Sequence, residues 1–468
     1  MVQPPFNPYL FVKNTGHDIH LIGKQALPTS INPGDPFRDS QGFPWALMVP
    51  TLETIDDGKW KHPNECQRIE IPYPRFTLWR ESLGDEHVDW YLHYYNPYIP
   101  PTQPTVKRIA DIIPGLGGSL PANLTVYNGA LYFSATDVPT GTELWRFNGS
   151  SASRVADINP SGDSSPAYLS VYNSKLYFRA TPAATQLLYS YDGSSAGPIA
   201  GVELVSHLAV FGTRLFFAGR DTDLTTGLEL CSWDDAQANE AADIYSGVGN
   251  SSFPAYLSVY GGLLYFAAND GSASGRELWS YDGSTAARQT DINTTPPGNS
   301  NPSYLTVYDT KLYFRATPDG TNYELYSFDG STLTPITNLI ASGGGVAASP
   351  MVVYGNALYF VASDGTHGDE LWRYDGASAA QVADIHPSGA GLAAPTYFAV
   401  FDGKLFFAAD DGSSGSELYR YDGSVVSLAA DINPGAVGSF PAHLAVYNSR
   451  LYFQANDGSS GAELWVYY

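Results

Sequence analysis

Residues Pro254–Ser284 read PAYLSVYGGLLYFAANDGSASGRELWSYDGS, and the phrase occurs in eight variant copies along the chain. Its Val-Tyr or Val-Phe step falls at Tyr127, Tyr172, Phe211, Tyr260, Tyr308, Tyr354, Phe401 and Tyr447, at spacings of 45, 39, 49, 48, 46, 47 and 46 residues. A recurrence of that length, rich in short strands, marks a stacked or closed repeat architecture. Within the copy, YLSVY (Tyr256–Tyr260) and LYFAA (Leu264–Ala268) flank a Gly-Gly turn. Tight hairpins need positive φ in the turn, which Gly, Asn and Asp tolerate. A third strand, ELWSY (Glu277–Tyr281), closes on Asp282-Gly283, and a short fourth segment ends at Asp291-Ile292. Four antiparallel strands in about 45 residues make one propeller blade.

The second strand is apolar at consecutive positions, Leu264, Tyr265 and Phe266. A sheet wet on one face would alternate. A blade packed between two neighbours has no wet face, so the aromatic stripe reads as core, each buried ring contributing roughly 1.5–3 kcal/mol. Before the first copy stands VKRIADI (Val106–Ile112), a fourth-strand segment with no blade ahead of it. The last copy reaches only a third strand, ELWVYY (Glu463–Tyr468). Pairing the two completes an eighth blade and removes two open sheet edges. The expected fold is all-β: an eight-bladed β-propeller of four-stranded blades over 106–468, a small β-sandwich-like domain over 1–96, and a Pro-rich linker over 97–105. The first domain carries the strand-like segments YLFVKNT, DIHLIGK, WALMVP, QRIEIPY, FTLWRE and DWYLHYY.

The third strand and its turn recur as ELWRYDG (Glu370–Gly376), ELWSYDG (Glu277–Gly283) and ELYRYDG (Glu417–Gly423). This resembles the bacterial ELWxxDGT repeats, with Ser284 or Ala377 in place of the final Thr. The resemblance covers about 106–468 and implies a β-propeller on a secreted or cell-surface protein. Copy two, LLYSYDG (Leu187–Gly193), lacks the Glu, and copy three has Cys231 in place of the aromatic residue. Copy three also lacks a long crossover loop, which accounts for the 39-residue step.

The chain carries 24 basic and 47 acidic residues, a net charge of −23. An acidic surface repels phosphate, so nucleic acid and anionic membrane are poor partners. No stretch approaches the roughly 20 apolar residues of a membrane span. The start, MVQPPFNPYLFVKN, shows no signal peptide, which leaves open a removed leader, a cytoplasmic protein or another export route. Two cysteines, Cys66 and Cys231, make no disulfide framework.

In an up-and-down blade, the loop between strands two and three shares a face with the crossover to the next blade. These are the long, variable loops, and ligands are expected there. They carry Asp-Gly at Asp270, Asp319, Asp364, Asp411 and Asp457. Such Asp residues either form tight turns or present carboxylates to sugar hydroxyls or Ca²⁺. Phe253 and Phe440, outside the repeated core pattern, suit the apolar face of a sugar. The ligand site expected is therefore Asp270, Asp364, Asp411 and Asp457 with Phe253 and Phe440. Glu143, Glu229, Glu277, Glu324, Glu370, Glu417 and Glu463 open third strands. A catalytic group has no need of seven copies, so they read as structural acceptors. Asp111, Asp157, Asp243, Asp291, Asp384 and Asp431 are expected to cap loop amides. His17, His20 and His93 fit no strong metal motif.

Three functions follow. The first is a carbohydrate-binding, lectin-like propeller recognising glycans or cell-surface glycoconjugates, whose repeated sites gain avidity. The second is a protein-interaction or adhesion scaffold. The third is an enzyme with one site in the propeller funnel or at the domain junction.

Overall fold

The computed structural model describes residues 106–220, 227–339, 341, 343–393 and 396–468, with the backbone of strands between Tyr9 and His93. The chain divides into two compact units, Met1–Gln103 and Pro104–Tyr468. All described elements except one short 3₁₀ position are strands and turns, so the all-β expectation holds.

The first unit contains a five-stranded antiparallel sheet, with strands at Ile19–Ile22, Tyr9–Asn14, Val88–His93, Phe76–Ser82 and Ile69–Ile71 in spatial order. A separate hairpin joins Pro36–Arg38 to Pro44–Ala46. The candidate metal histidines of this unit lie outside the residues whose side chains are described.

The second unit is a β-propeller. Copies one, four, five and seven each fold as an isolated four-stranded antiparallel sheet in chain order. Copy six adds a short fifth strand, Gly345–Val346, to the edge of its second strand. Copies two and three are fused. One 16-residue strand, Ala196–Phe211, pairs with Leu187–Tyr191 of copy two and then with Arg214–Arg220 of copy three. The missing crossover loop is thus replaced by continuous strand, and the two copies share one seven-stranded sheet. Copy eight takes its fourth strand from the front of the unit. Lys107–Ala110 pairs with Ala462–Tyr467 through Leu464↔Ala110, Trp465↔Arg108 and Val466↔Lys107, as the open ends of the array require.

Six of the eight two-residue turns have left-handed φ at both positions, for example Asn128-Gly129 (44° and 70°) and Asp309-Thr310 (41° and 61°), while Gly212-Thr213 and Gly355-Asn356 have it at the glycine alone. That geometry matches the twist of the flanking strands. The second strands form the core. Leu264, Phe266 and Ala268 face copy three, while Tyr265 faces copy five. Both faces of one strand are therefore buried, as the unbroken apolar run demands. In the six copies whose first strand ends in tyrosine, that tyrosine stitches one copy to the next. Tyr260 Oη donates to Thr310 O at 2.6 Å, and Tyr354 Oη to Gly403 O at 2.8 Å. Tyr447 Oη donates to Gly129 O at 2.7 Å, across the closure. The valine before each tyrosine or phenylalanine stays 38–43% exposed in all eight copies, from Val126 to Val446. These valines sit on the inner strands, whose edges line the central channel.

Candidate functional site

The long-loop face is built on the buried glutamates. Glu277 accepts from Ile292 N, Ser300 N and the hydroxyls of Thr290 and Ser300. Glu229, Glu370, Glu417 and Glu463 hold their own crossover loops in the same way. Each is fully buried. Burial pushes their carboxyl groups upward against the pull of these donors, that of Glu277 to about 7. They are anchors, which agrees with the structural reading. Among the described residues, no loop amide donates to the aspartates before Ile, contrary to expectation. The amides of Ile158, Ile244, Ile292, Ile385 and Ile432 go to glutamate instead. Asp111 and Asp157 turn outward and pair with Arg108 and Arg154 three residues earlier.

The four candidate aspartates share one local motif. Asp411 Oδ1 accepts from Ser413 N, Ser413 Oγ and Ser414 N at 2.8–2.9 Å. Asp457 Oδ1 accepts from the amides and hydroxyls of Ser459 and Ser460. Asp364 holds Thr366 and His367, and Asp270 holds Ser272 N. Hydrogen bonds from Ser414 and Ser413 pull the Asp411 carboxyl well below the usual carboxylate range. Asp192, Asp282, Asp329 and Asp422 do the same in the Asp-Gly turns that close the third strands. The serine hydroxyl that follows Asp-Gly there bonds the same oxygen. Among the described residues, no three His, Cys, Asp or Glu gather in a metal-holding group.

A different constellation lines the mouth of the channel. Four residues before the closing tyrosine or phenylalanine of the first strand stands Asn123, Tyr168, His207, Tyr256, Tyr304, Pro350, Tyr397 or His443 in successive copies. Six of them, Asn123, Tyr168, His207, Tyr256, Tyr304 and His443, have φ between 53° and 58°. Strand pairing is interrupted beside them, as between Ala255 and Ser258. A left-handed bulky residue is an outlier that the surrounding structure must impose. Here the bulge swings the ring out of the blade stack toward the neighbouring inner strand. Rings consequently meet in a row: Tyr168 with His207 at 5.2 Å, His207 with Tyr256 at 4.9 Å, and Tyr256 with Tyr304 at 5.0 Å. Tyr397 and His443 meet at 4.3 Å farther round.

Guanidinium groups back this row. Arg179 lies over Tyr168 at 5.0 Å, and Arg315 over Tyr323 at 3.3 Å. Arg315 Nε also donates to Val346 O. Burial lowers the pKa of His207 to about 4, helped by the charge of Arg276. Phe253 and Phe440 are 54% and 57% exposed, each with left-handed φ. Phe253, Arg276, Ser206, Ala218, Leu228 and Pro254 enclose a cavity of 140 Å³ between copies three and four. Of the two candidate phenylalanines, Phe253 lines this cavity, whereas the candidate aspartates serve their own loops. Composition gave no signal for the arginines, since each departs from its neighbours at the same repeat position. The channel-mouth rings were hidden inside a strand pattern that reads as core.

Residues 1–91 match the family model DUF4842, a domain of unknown function. No curated protein matches the chain. Similar solved structures include the β-propeller domain of the Trilobed protease from Pyrococcus furiosus, 10% identical over 68% of this chain and 98% of that one, with a TM-score of 0.42. An oligogalacturonate lyase in complex with manganese is 11% identical over 86% and 97% of the two chains, with a TM-score of 0.42. A puromycin-hydrolyzing peptidase from Mycobacterium tuberculosis is 12% identical over 75% of this chain, with a TM-score of 0.42, and the chain spans 60% of its length. These are peptidases and a lyase, not lectins, and the lectin expectation is corrected on that finding. The local chemistry runs the same way, because the carboxylates assigned to sugar hydroxyls already carry the amides and hydroxyls of their own turns.

Proposed function

We propose that residues 106–468 form an eight-bladed propeller that binds an extended segment of a partner protein at the long-loop mouth of its channel. In this reading the strand Ala196–Phe211 serves both as the fourth strand of blade two and as the first of blade three. The sandwich-like character of residues 1–96, the ELWxxDGT kinship and a place at the cell surface belong to the same proposal. The observation that carries the binding reading is the row of rings from Tyr168 to Tyr304, held outward on left-handed backbone. Tyr and Arg are the residue types enriched at the energetic centres of protein interfaces. A tyrosine offers a large rigid face with little side-chain entropy to lose. The exposed valines continue an apolar surface along the channel. The test is selection of a displayed peptide library on the full chain and on a Tyr168→Ala/Tyr304→Ala variant. Peptides enriched on the natural chain and lost on the variant support the reading, and equal enrichment on both rejects it.

A further inference from the structure

Copy four departs from the other repeats at one position beside the mouth. The residue before the third-strand Glu or its Leu187 equivalent is Thr142, Gln186, Leu228, Arg276, Tyr323, Asp369, Ser416 or Ala462 in successive copies. Only copy four places a cation there. Packing does not require it, because residues as small as Thr142, Ser416 and Ala462 fill the same place in other copies. Its backbone N–H donates to Asn299 Oδ1, and its guanidinium Nη2 to Ala267 O at 3.3 Å. Among the described residues, no carboxylate forms an ion pair with it. Burial, the chief influence, works against its charge. A guanidinium held this way has donors to spare and strongly favours an anionic partner.

The cavity it lines sets what that partner is. Its volume is 140 Å³, and apart from Arg276 and Ser206 the lining is apolar: Ala218, Leu228, Phe253, Pro254 and Ala255. Phe253 is pinned at the entrance. Its N–H donates to Leu228 O at 3.2 Å, its φ is +49°, and over half of its surface is open. Nearby, His207 Nδ1 is buried without a hydrogen bond. The geometry points to a carboxylate site: Arg276 takes a carboxylate in the fork of its guanidinium while Phe253 and the apolar lining hold a short aliphatic stem. Planar guanidinium and planar carboxylate match in two parallel hydrogen bonds. The same chemistry belongs to a small aliphatic acid and to the C-terminus of a peptide with a small apolar last residue. The site deepens the peptide-binding proposal without sharing its ring residues Tyr168 and Tyr304.

Titration calorimetry on the full chain tests it, with propionate, a tetrapeptide ending in free alanine, and the same peptide as its C-terminal amide. Binding of either free carboxylate, weakened at least tenfold in Arg276→Met, supports the site. Binding of the peptide without propionate assigns it to a chain terminus, and propionate binding without the peptide assigns it to a free acid. Amidation is expected to weaken the peptide at least tenfold. Phe253→Ala, an exposed position, is expected to lower affinity several-fold without altering the near-ultraviolet spectrum, which separates lost binding from lost fold. Failure of both free carboxylates to bind, equal binding by Arg276→Met, or indifference to amidation overturns the inference. The Tyr168→Ala/Tyr304→Ala variant is expected to keep propionate binding, so the carboxylate site and the wider peptide reading fail separately.

Discussion

Replacing Glu463 by alanine should open the ring at one known seam. Its carboxylate accepts Ile112 N at 3.2 Å, Ile113 N at 3.2 Å, Ser119 N at 3.0 Å and Ser119 Oγ at 2.5 Å. These donors precede it by 344 to 351 residues, so the side chain clamps the front of the propeller to its last strand. Removing one side of a buried charged network leaves the other side unsatisfied and costs about 3–5 kcal/mol. The strand it secures is short, with three registered pairs to its neighbour. The loss should therefore appear first as local opening of residues 107–120 rather than as global unfolding. Converted at about 1.4 kcal/mol per decade, it corresponds to roughly 10²–10⁴-fold faster amide exchange. Hydrogen exchange read by mass spectrometry at neutral pH measures it directly. Glu370→Ala is the control, because it frees Ile385, His386 and Gly391 in an interior crossover. That variant should loosen 385–391 and leave 107–120 protected. Less than tenfold acceleration in 107–120 for Glu463→Ala, or equal acceleration in both variants, would refute the clamp.

Further outcomes follow from single contacts. Tyr447→Phe removes the Oη bond to Gly129 O and should lower stability by about 1 kcal/mol in chemical denaturation; Phe211 and Phe401 show that the ring alone fits this place. Asp411→Asn keeps the accepting Oδ1 and should be near neutral, whereas Asp411→Ala frees the Ser413 and Ser414 amides at about 1 kcal/mol. The glutamate anchors should make stability fall as pH rises. Glu277 moves from its ordinary value to about 7 on burial, so its contribution is full below about 4.5 and is lost as pH rises through 7, a difference of roughly 3 kcal/mol. Asp282 and Asp422, lowered by turn amides, contribute above their ordinary value and lose that contribution as pH falls below it. The melting temperature is thus expected to peak near pH 5, and Glu277→Gln should flatten its alkaline limb.

What the sequence revealed was whatever the repeat enforces. Consecutive apolar residues at Leu264, Tyr265 and Phe266 require a strand covered on both faces, and the structure buries all three. The unmatched ends, Val106–Ile112 and Glu463–Tyr468, announced the shared last sheet. The 39-residue step showed that a crossover was missing, but only the pairing shows one strand running through two copies. The aspartates misled because Asp-Gly in a loop looks the same whether its carboxylate faces a ligand or its own turn. What separates the two is the serine or threonine two residues on, as in Asp411–Ser413 and Asp364–Thr366, which supplies the hydroxyl that occupies the oxygen.

The channel mouth was illegible for a different reason. Tyr256 lies in a strand-like run where strict alternation would put it in the same layer as Ser258 and Tyr260. The bulge between Ala255 and Ser258 breaks that alternation and turns the ring to the mouth. Left-handed backbone at a tyrosine has no composition signature, since such a residue is disfavoured there and held only by its surroundings. Repetition hid the feature further, because an aromatic or imidazole ring present in six copies reads as packing. In a closed repeat, however, the inner strands of all copies converge on one axis, so a packing position and a binding position can be the same residue number in each copy. The informative residues are then those that break the repeat next to that axis. Arg276 breaks it with a charge that no carboxylate among the described residues pairs, His207 with a nitrogen left without a hydrogen bond, and Phe253 with a ring kept at the surface. All three sit where copies three and four meet, directly after the one crossover that the chain has dispensed with.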